Sequence, residues 1–235
     1  VRAQDDICGE VLVQRSEPSL VLGTPSLVVW KTQNLSVGEP GTALQYGLHY
    51  LNTGNSPSTG TWIFDRISSH LELDEASVPA GGGEVWFSNS PDLPASLSLG
   101  TPIDPSDVPT YFVQGADTDG DGWATSPLGA TTRWIAFRVD DVSLTPPQFA
   151  TGTEHVVAIR ATTNDTELGI LVTNQAAISS KELLMSIGNK TTFTVAVSPG
   201  LAFDLACPSI VSAGEEISVG IDYVNDSTNA DSGVA

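Results

Sequence analysis

Basic residues are scarce in this chain. Nine lysines and arginines stand against 28 aspartates and glutamates, a net charge of −19. A surface of that sign repels phosphate backbones and anionic lipid, which argues against nucleic acid and membrane surfaces as partners. It attracts divalent cations and keeps a chain dissolved in salt. Only three lysines occur, Lys31, Lys181 and Lys190.

Cysteine is nearly absent. Cys8 and Cys207 lie far apart, with no Cys-x-x-Cys and no Cys/His cluster, which excludes a structural zinc site of the usual spacing. They either pair with each other in an oxidising compartment, pair with cysteines outside this chain, or stay reduced. No apolar run approaches the roughly 18 residues that cross a bilayer, so no membrane insertion is expected in this segment. Histidine is sparse and scattered, at His49, His70 and His155, and none sits in a His-Glu-x-x-His pair. His49 falls between Leu48 and Tyr50, so strand alternation turns it away from their shared side. No Gly-x-Ser-x-Gly elbow or phosphate-binding loop is present either. Pairs such as Asp65 with Asp141 have the chemistry of glycosidase carboxylates, but any chain with 28 acids offers such pairs. The chain reads as a protein that is not an enzyme.

What the chain has in quantity is turn chemistry and β-formers. Glycine occurs 22 times and proline 15 times, and charged residues fall to 16%. Strands joined by many turns fit that composition, and helices find little support in it. Strand patterns recur at 27–32, 43–52, 61–67, 70–74, 84–88, 110–114, 132–139, 154–162, 168–174 and 191–197. Their spacing predicts an all-β fold, an immunoglobulin-like antiparallel β-sandwich with long inserted loops at 89–109 and 115–131. The stretch 178–187, ISSKELLMSI, is the one piece with helical character.

A self-similarity organises the chain. Residues 41–60 and 214–233 align without a gap at a constant offset of 173. Gly41, Gly47, Tyr50, Asn52 and Gly60 meet Gly214, Gly220, Tyr223, Asn225 and Gly233, and Leu44, Leu48 and Leu51 meet Ile217, Ile221 and Val224. Extended backwards, the alignment sets Trp30 over Phe203. Residues 1–25 then read as the terminal strand or strands of a preceding module or an N-terminal arm. Residues 26–198 read as a complete sandwich module, and 199–235 as the first strands of a following one.

The run from Gly41 to Gly54, with Leu44, Tyr46, Leu48, Tyr50 and Asn52 at alternate positions, resembles the opening of a domain-of-unknown-function-11 repeat. Asp65, in TWIFDRI, sits where such repeats place an Asp on the next strand. The stretch RWIAFRVDDVSLTPPQFATGTEHVVAIRA is similar to the family's Trp-containing strand, its turn and the strand after it, and Thr173-Asn174-Gln-Ala-Ala-Ile178 to its closing Asn-x-Ala-x-Ile. The resemblance implies an immunoglobulin-like module, in tandem arrays on secreted or surface proteins of prokaryotes. This module is longer than usual, mainly through 89–131.

One local motif carries metal chemistry. Asp117, Asp119 and Asp121 alternate and are closed by Gly122, like the first half of a calcium loop. The twelfth position is Leu128, where such a loop needs a bidentate Glu, so calcium requires a further carboxylate brought in by folding: Asp104, Asp107, Asp140 or Asp141. The alternative is an Asp/Gly hairpin that binds nothing. Trp62, Trp86, Trp123 and Trp134 either line a sugar-binding surface or anchor core and loops. Asn34, Asn164, Asn189 and Asn225 each open a glycosylation sequon.

Two functions follow. One is a structural module of a cell-surface or extracellular stalk, sheath or filament, whose partners are copies of itself or neighbouring modules. The other is an adhesin-type module that recognises glycan or protein through the 89–131 insertion.

Overall fold

The computed structural model describes residues 23–93, 104, 106–164 and 168–196, and the backbone of two strands at 201–206 and 220–225. Twelve strands of the larger part form two sheets. The first runs in the order β1 (Leu27–Gln33), β3 (Ala43–Asn52), β10 (His155–Thr163), β5 (Leu71–Ser77), β8 (Trp123–Ala124). The second runs β2 (Val37–Gly38), β12 (Ser186–Val195), β11 (Leu171–Ser179), β4 (Trp62–Arg66), β9 (Trp134–Arg138), β6 (Glu84–Ser88), β7 (Val113–Gln114). All pairings are antiparallel except β2 with β12. The fold is an all-β, immunoglobulin-like sandwich, as composition and strand spacing predict.

Alternation fixes which side chains meet between the sheets. Leu44, Tyr46, Leu48 and Tyr50 of β3 point inward with Leu27 and Val29 of β1 and Val157, Ile159 and Ala161 of β10. Facing them are Ile63 of β4, Ile135 and Phe137 of β9, Val172, Ala176 and Ile178 of β11, and Phe193 of β12. Asn52 ends β3 for a physical reason. Its buried carboxamide accepts from the Ser26 and Gly54 amides and donates to the Ser56 carbonyl, which pins the turn.

The second sheet is buried on its outer face too. Trp62, Phe64 and Ala136 alternate with the inward residues and form a second apolar cluster with Val108, Phe112 and Met185. Val108 opens a single helical turn, α1 (Val108–Tyr111), and Phe112 caps its end. Strand was expected over 110–114, and only Val113–Gln114 is strand. Pro109, at the start of the turn, suits the first helical positions and cannot donate to a ladder. The segment expected as one loop over 115–131 holds β8 and a 3-10 turn at Gly129–Thr131.

The one stretch with helical character, 178–187, forms no helix. Ile178 and Ser179 finish β11, a tight turn closes between Ser180 and Leu183, and β12 begins at Ser186. Ladder partners on both strands outweigh the local preference of so short a run.

The last two described strands, β13 (Leu201–Ala206) and β14 (Gly220–Asn225), pair antiparallel. Phe203 lies opposite Tyr223 there, as Val29 lies opposite Tyr50 in the β1–β3 pair. Phe203 therefore corresponds to Val29. The expected match to Trp30 is one residue out, because the connection between the two strands is one residue shorter in the second copy.

Truncating Phe137, fully buried between the sheets, to alanine is expected to destabilise the sandwich by ~3–5 kcal/mol in urea denaturation. The same truncation of Val156, half-exposed on the outside of β10, should cost no more than about 0.5 kcal/mol.

Candidate functional site

The strongest concentration of unusual chemistry lies inside the sandwich. Lys31, inward on β1, reaches across the inter-sheet space to Asp65, inward on β4. Both side chains have zero exposure, and the amine donates directly to Oδ2 of the carboxylate. Tyr46 lies beneath the pair, its ring centre 4.4 Å from the Lys31 Nζ. Ala176 of β11 sits opposite Asp65 in the ladder, and Asn174, two residues along on the same face, brings its carboxamide beside the same carboxylate. The contact pulls the Asp65 pKa down, behind burial and Lys31 in weight, but falls short of a made hydrogen bond. Oδ1 of Asp65 and both Oδ1 and Nδ2 of Asn174 are buried without a hydrogen-bond partner.

Burial dominates the electrostatics. It pushes the Asp65 carboxyl up, against the opposing pull of Lys31, and pushes the Lys31 amine down, against the pull of Asp65. Both shifts favour the proton on the acid and a neutral amine. Burial and Asp65 together also raise the Tyr46 phenol, whose oxygen has no hydrogen-bond partner. Of these residues the sequence marked Tyr46, Asp65 and Asn174 as positions of the family pattern, and it marked Lys31 merely as one of few lysines.

The edge of β1 next to this cluster is closed by a side chain. Asn189 of β12 accepts from the Lys31 amide at 2.6 Å and donates to the Lys31 carbonyl at 2.9 Å. Among the other sequons, Asn34 accepts from the Gln45 amide and Asn164 donates to the Ser69 carbonyl, both at the surface. The side chain of Asn225, and both Cys8 and Cys207, lie outside the described residues.

Asp117, Asp119 and Asp121 are brought together at the surface, with one ligand oxygen from each within 4.8 Å of the others. The turn supports itself: Asp117 accepts from the Gly120 and Gly122 amides, and Asp121 from the Trp123 amide. Gly120 and Gly122 take φ of 77° and 87°, which suits glycine. The donor set is hard oxygen, fit for calcium, but supplies three of the six to eight ligands that calcium takes. None of the four expected carboxylates joins the group. Asp140 is buried and accepts from the Thr61 amide, Asp141 and Asp104 fold back onto Ser143 and Ser106, and Asp107 precedes α1.

Three of the four candidate tryptophans share a face: Trp62, Trp86 and Trp134 lie in or against the apolar cluster on the outside of the second sheet, and Trp123 does not. Trp62 is buried in the outer cluster, Trp86 donates to Glu84, and Trp134 packs under Arg66. Trp123 is covered by the Arg160 guanidinium, 3.8 Å from its ring centre. His49 faces outward, as alternation predicts, stacked on Trp30 and bonded to Glu154. His155 packs on Tyr50 and Phe149, away from His49. Asp65 and Asp141 share no cleft: one is in the core, the other in an exposed turn. No helix among the described residues is long and apolar enough to cross a membrane.

No protein-family model and no curated protein sequence matches the chain. Solved structures do. One is AvmM, which catalyses macrocyclization in alchivemycin A biosynthesis (TM-score 0.37, 10% identity, covering 74% of this chain and 90% of that one). Another is the seventh ScaB type I cohesin of Pseudobacteroides cellulosolvens (0.37, 13%, 73% and 94%). A third is the major pilin SpaD of Corynebacterium diphtheriae (0.38, 13%, 85% and 50%), of which this chain spans half the length. Similarity at this level does not extend to a function.

Removing one partner of the buried pair leaves the other uncompensated. Lys31→Met is expected to lose ~3–5 kcal/mol in chemical denaturation. Without Lys31 the Asp65 carboxyl rises further above its unfolded value, so stability is retained at low pH and lost as pH rises through the folded value. The loss should therefore be greater near about pH 8 than near about pH 5; an equal loss at both would contradict this placement.

Proposed function

We propose that the chain is a structural module of an extracellular, tandemly repeated surface protein, of the domain-of-unknown-function-11 kind, and that it has no enzymatic activity. The observation that carries this reading is the recurrence of one hairpin. The pairing of β1 with β3 returns in β13 with β14, with Tyr50 and Tyr223 at the same place in each. A two-stranded hairpin does not hold its fold alone in water, so β13 and β14 need the rest of a module around them. This reading makes neighbouring modules or another copy of the chain the natural partners.

The inward direction of the chemistry supports a scaffold over an adhesin. The described part of the 89–131 insertion covers the outer face of the second sheet through Val108 and Phe112, and Trp123 lies under Arg160. Analytical ultracentrifugation of the chain over a range of concentrations, with calcium present, tests the partner assignment. Association that grows with concentration is expected, and a monomer throughout would count against it.

Calcium is proposed for the Asp117–Asp121 turn, with water and main-chain oxygens completing the three carboxylates. At tenfold excess over its dissociation constant the ion should raise the melting temperature by roughly 3–6 °C. Asp119→Asn should abolish the rise without unfolding the protein. A wild-type chain indifferent to millimolar calcium would remove the ion from the account.

A further inference from the structure

We propose that Lys31 and Asn174 become joined by an intramolecular amide, from Nζ of Lys31 to Cγ of Asn174, with Asp65 carrying the protons. The proposal stands apart from the surface-module reading and rests on the core alone.

Three side chains from three strands and both sheets converge where water is excluded. Lys31 and Asp65 have no exposure and Asn174 has 3%. Folded cores rarely leave polar atoms unmet, yet here Oδ1 of Asp65 and both polar atoms of Asn174 are unmet side by side. Amide formation answers all three. Nδ2 of Asn174 departs, the charge of Lys31 disappears, and the new N–H and C=O lie beside a carboxyl group able to accept from one and donate to the other.

The chemistry needs a neutral amine, a polarised carbonyl and proximity. Burial favours the neutral amine, and the Tyr46 ring walls it on one side. The fold holds the groups together, which replaces a bimolecular encounter by an internal one. The Lys31 nitrogen attacks Cγ and a C–N bond forms. Asp65, protonated by the former ammonium, gives its proton to the carboxamide oxygen as negative charge develops there, then takes a proton from the attacking nitrogen. It passes that proton to Nδ2, and the oxygen's proton returns to Asp65 as the carbonyl reforms. The second C–N bond breaks and ammonia leaves. One C–N bond is made and one broken, nothing is oxidised or reduced, and Asp65 ends protonated, holding the proton that the Lys31 ammonium gave up.

The bond would tie β1, at one edge of the first sheet, to β11 of the second, next to the last strand of the sandwich. Tension applied at residues 27 and 195 would pass from β1 directly into β11, and the strands between would be spared.

Mass spectrometry of the purified, folded chain under reducing and denaturing conditions tests this. The wild type is expected to be lighter than its sequence by one ammonia. After trypsin, the peptides holding Lys31 and Asn174 should appear as one branched species, uncut at Lys31. Asp65→Asn should restore the sequence mass. A folded wild type at full sequence mass overturns the proposal. So does a loss of ammonia with Lys31 still cleaved, since that is cyclisation of an asparagine. Because the wild type alone decides the matter, a variant that fails to fold does not protect the idea.

Discussion

A lysine amine and an aspartate carboxylate meet in the apolar space between two sheets, and the rest of the sandwich is arranged around that meeting. Bringing either group out of water alone would cost more than a single strand's packing returns. The strands that carry them must therefore come together, and β1 has to dock at one edge of the first sheet with its inward face over β4. Asn189 secures the same strand from the side by bonding the Lys31 main chain. Position and partner are thus specified together, in a core whose other members, such as Leu48, Ile63 and Phe137, specify only shape.

The second constraint is the two-sided burial of β4 and β9. A sheet in a sandwich normally shows one face to water. Here Trp62 and Phe64 on β4 and Ala136 on β9 make the outer face apolar, and a covering layer becomes necessary. The long excursion between β6 and β9 provides it with Val108 and Phe112. Its length has a structural reason independent of any ligand.

Much of this was legible in the residues. The alternation of Leu44, Tyr46, Leu48 and Tyr50 gives β3 and its inward face, and the outward placing of His49 follows from it. Asn52 is readable as a turn residue, and the clustering of Asp117, Asp119 and Asp121 follows from their spacing. What escaped depended on partners distant in sequence. Ile178 to Ile187 has helical character locally, but ladders with β4 and β12 decide it. Val108 to Tyr111 gives no sign that it lies on an outer sheet face. The Lys31–Asp65–Asn174 group is spread over three strands, so no spacing rule connects its members. A signal existed nonetheless: a lysine at an inward position of an alternating strand, in a chain with only three lysines, demands a buried acid.

Three of the four edges of the two sheets of the sandwich are strands of two residues, β2, β7 and β8. The fourth, β1, has Asn189 bonded to its free side at Lys31. Edges so short or already engaged offer a passing chain little backbone to pair with. Copies of such a sandwich brought close together would resist zipping into fibres, leaving cohesion between them to contacts other than sheet extension.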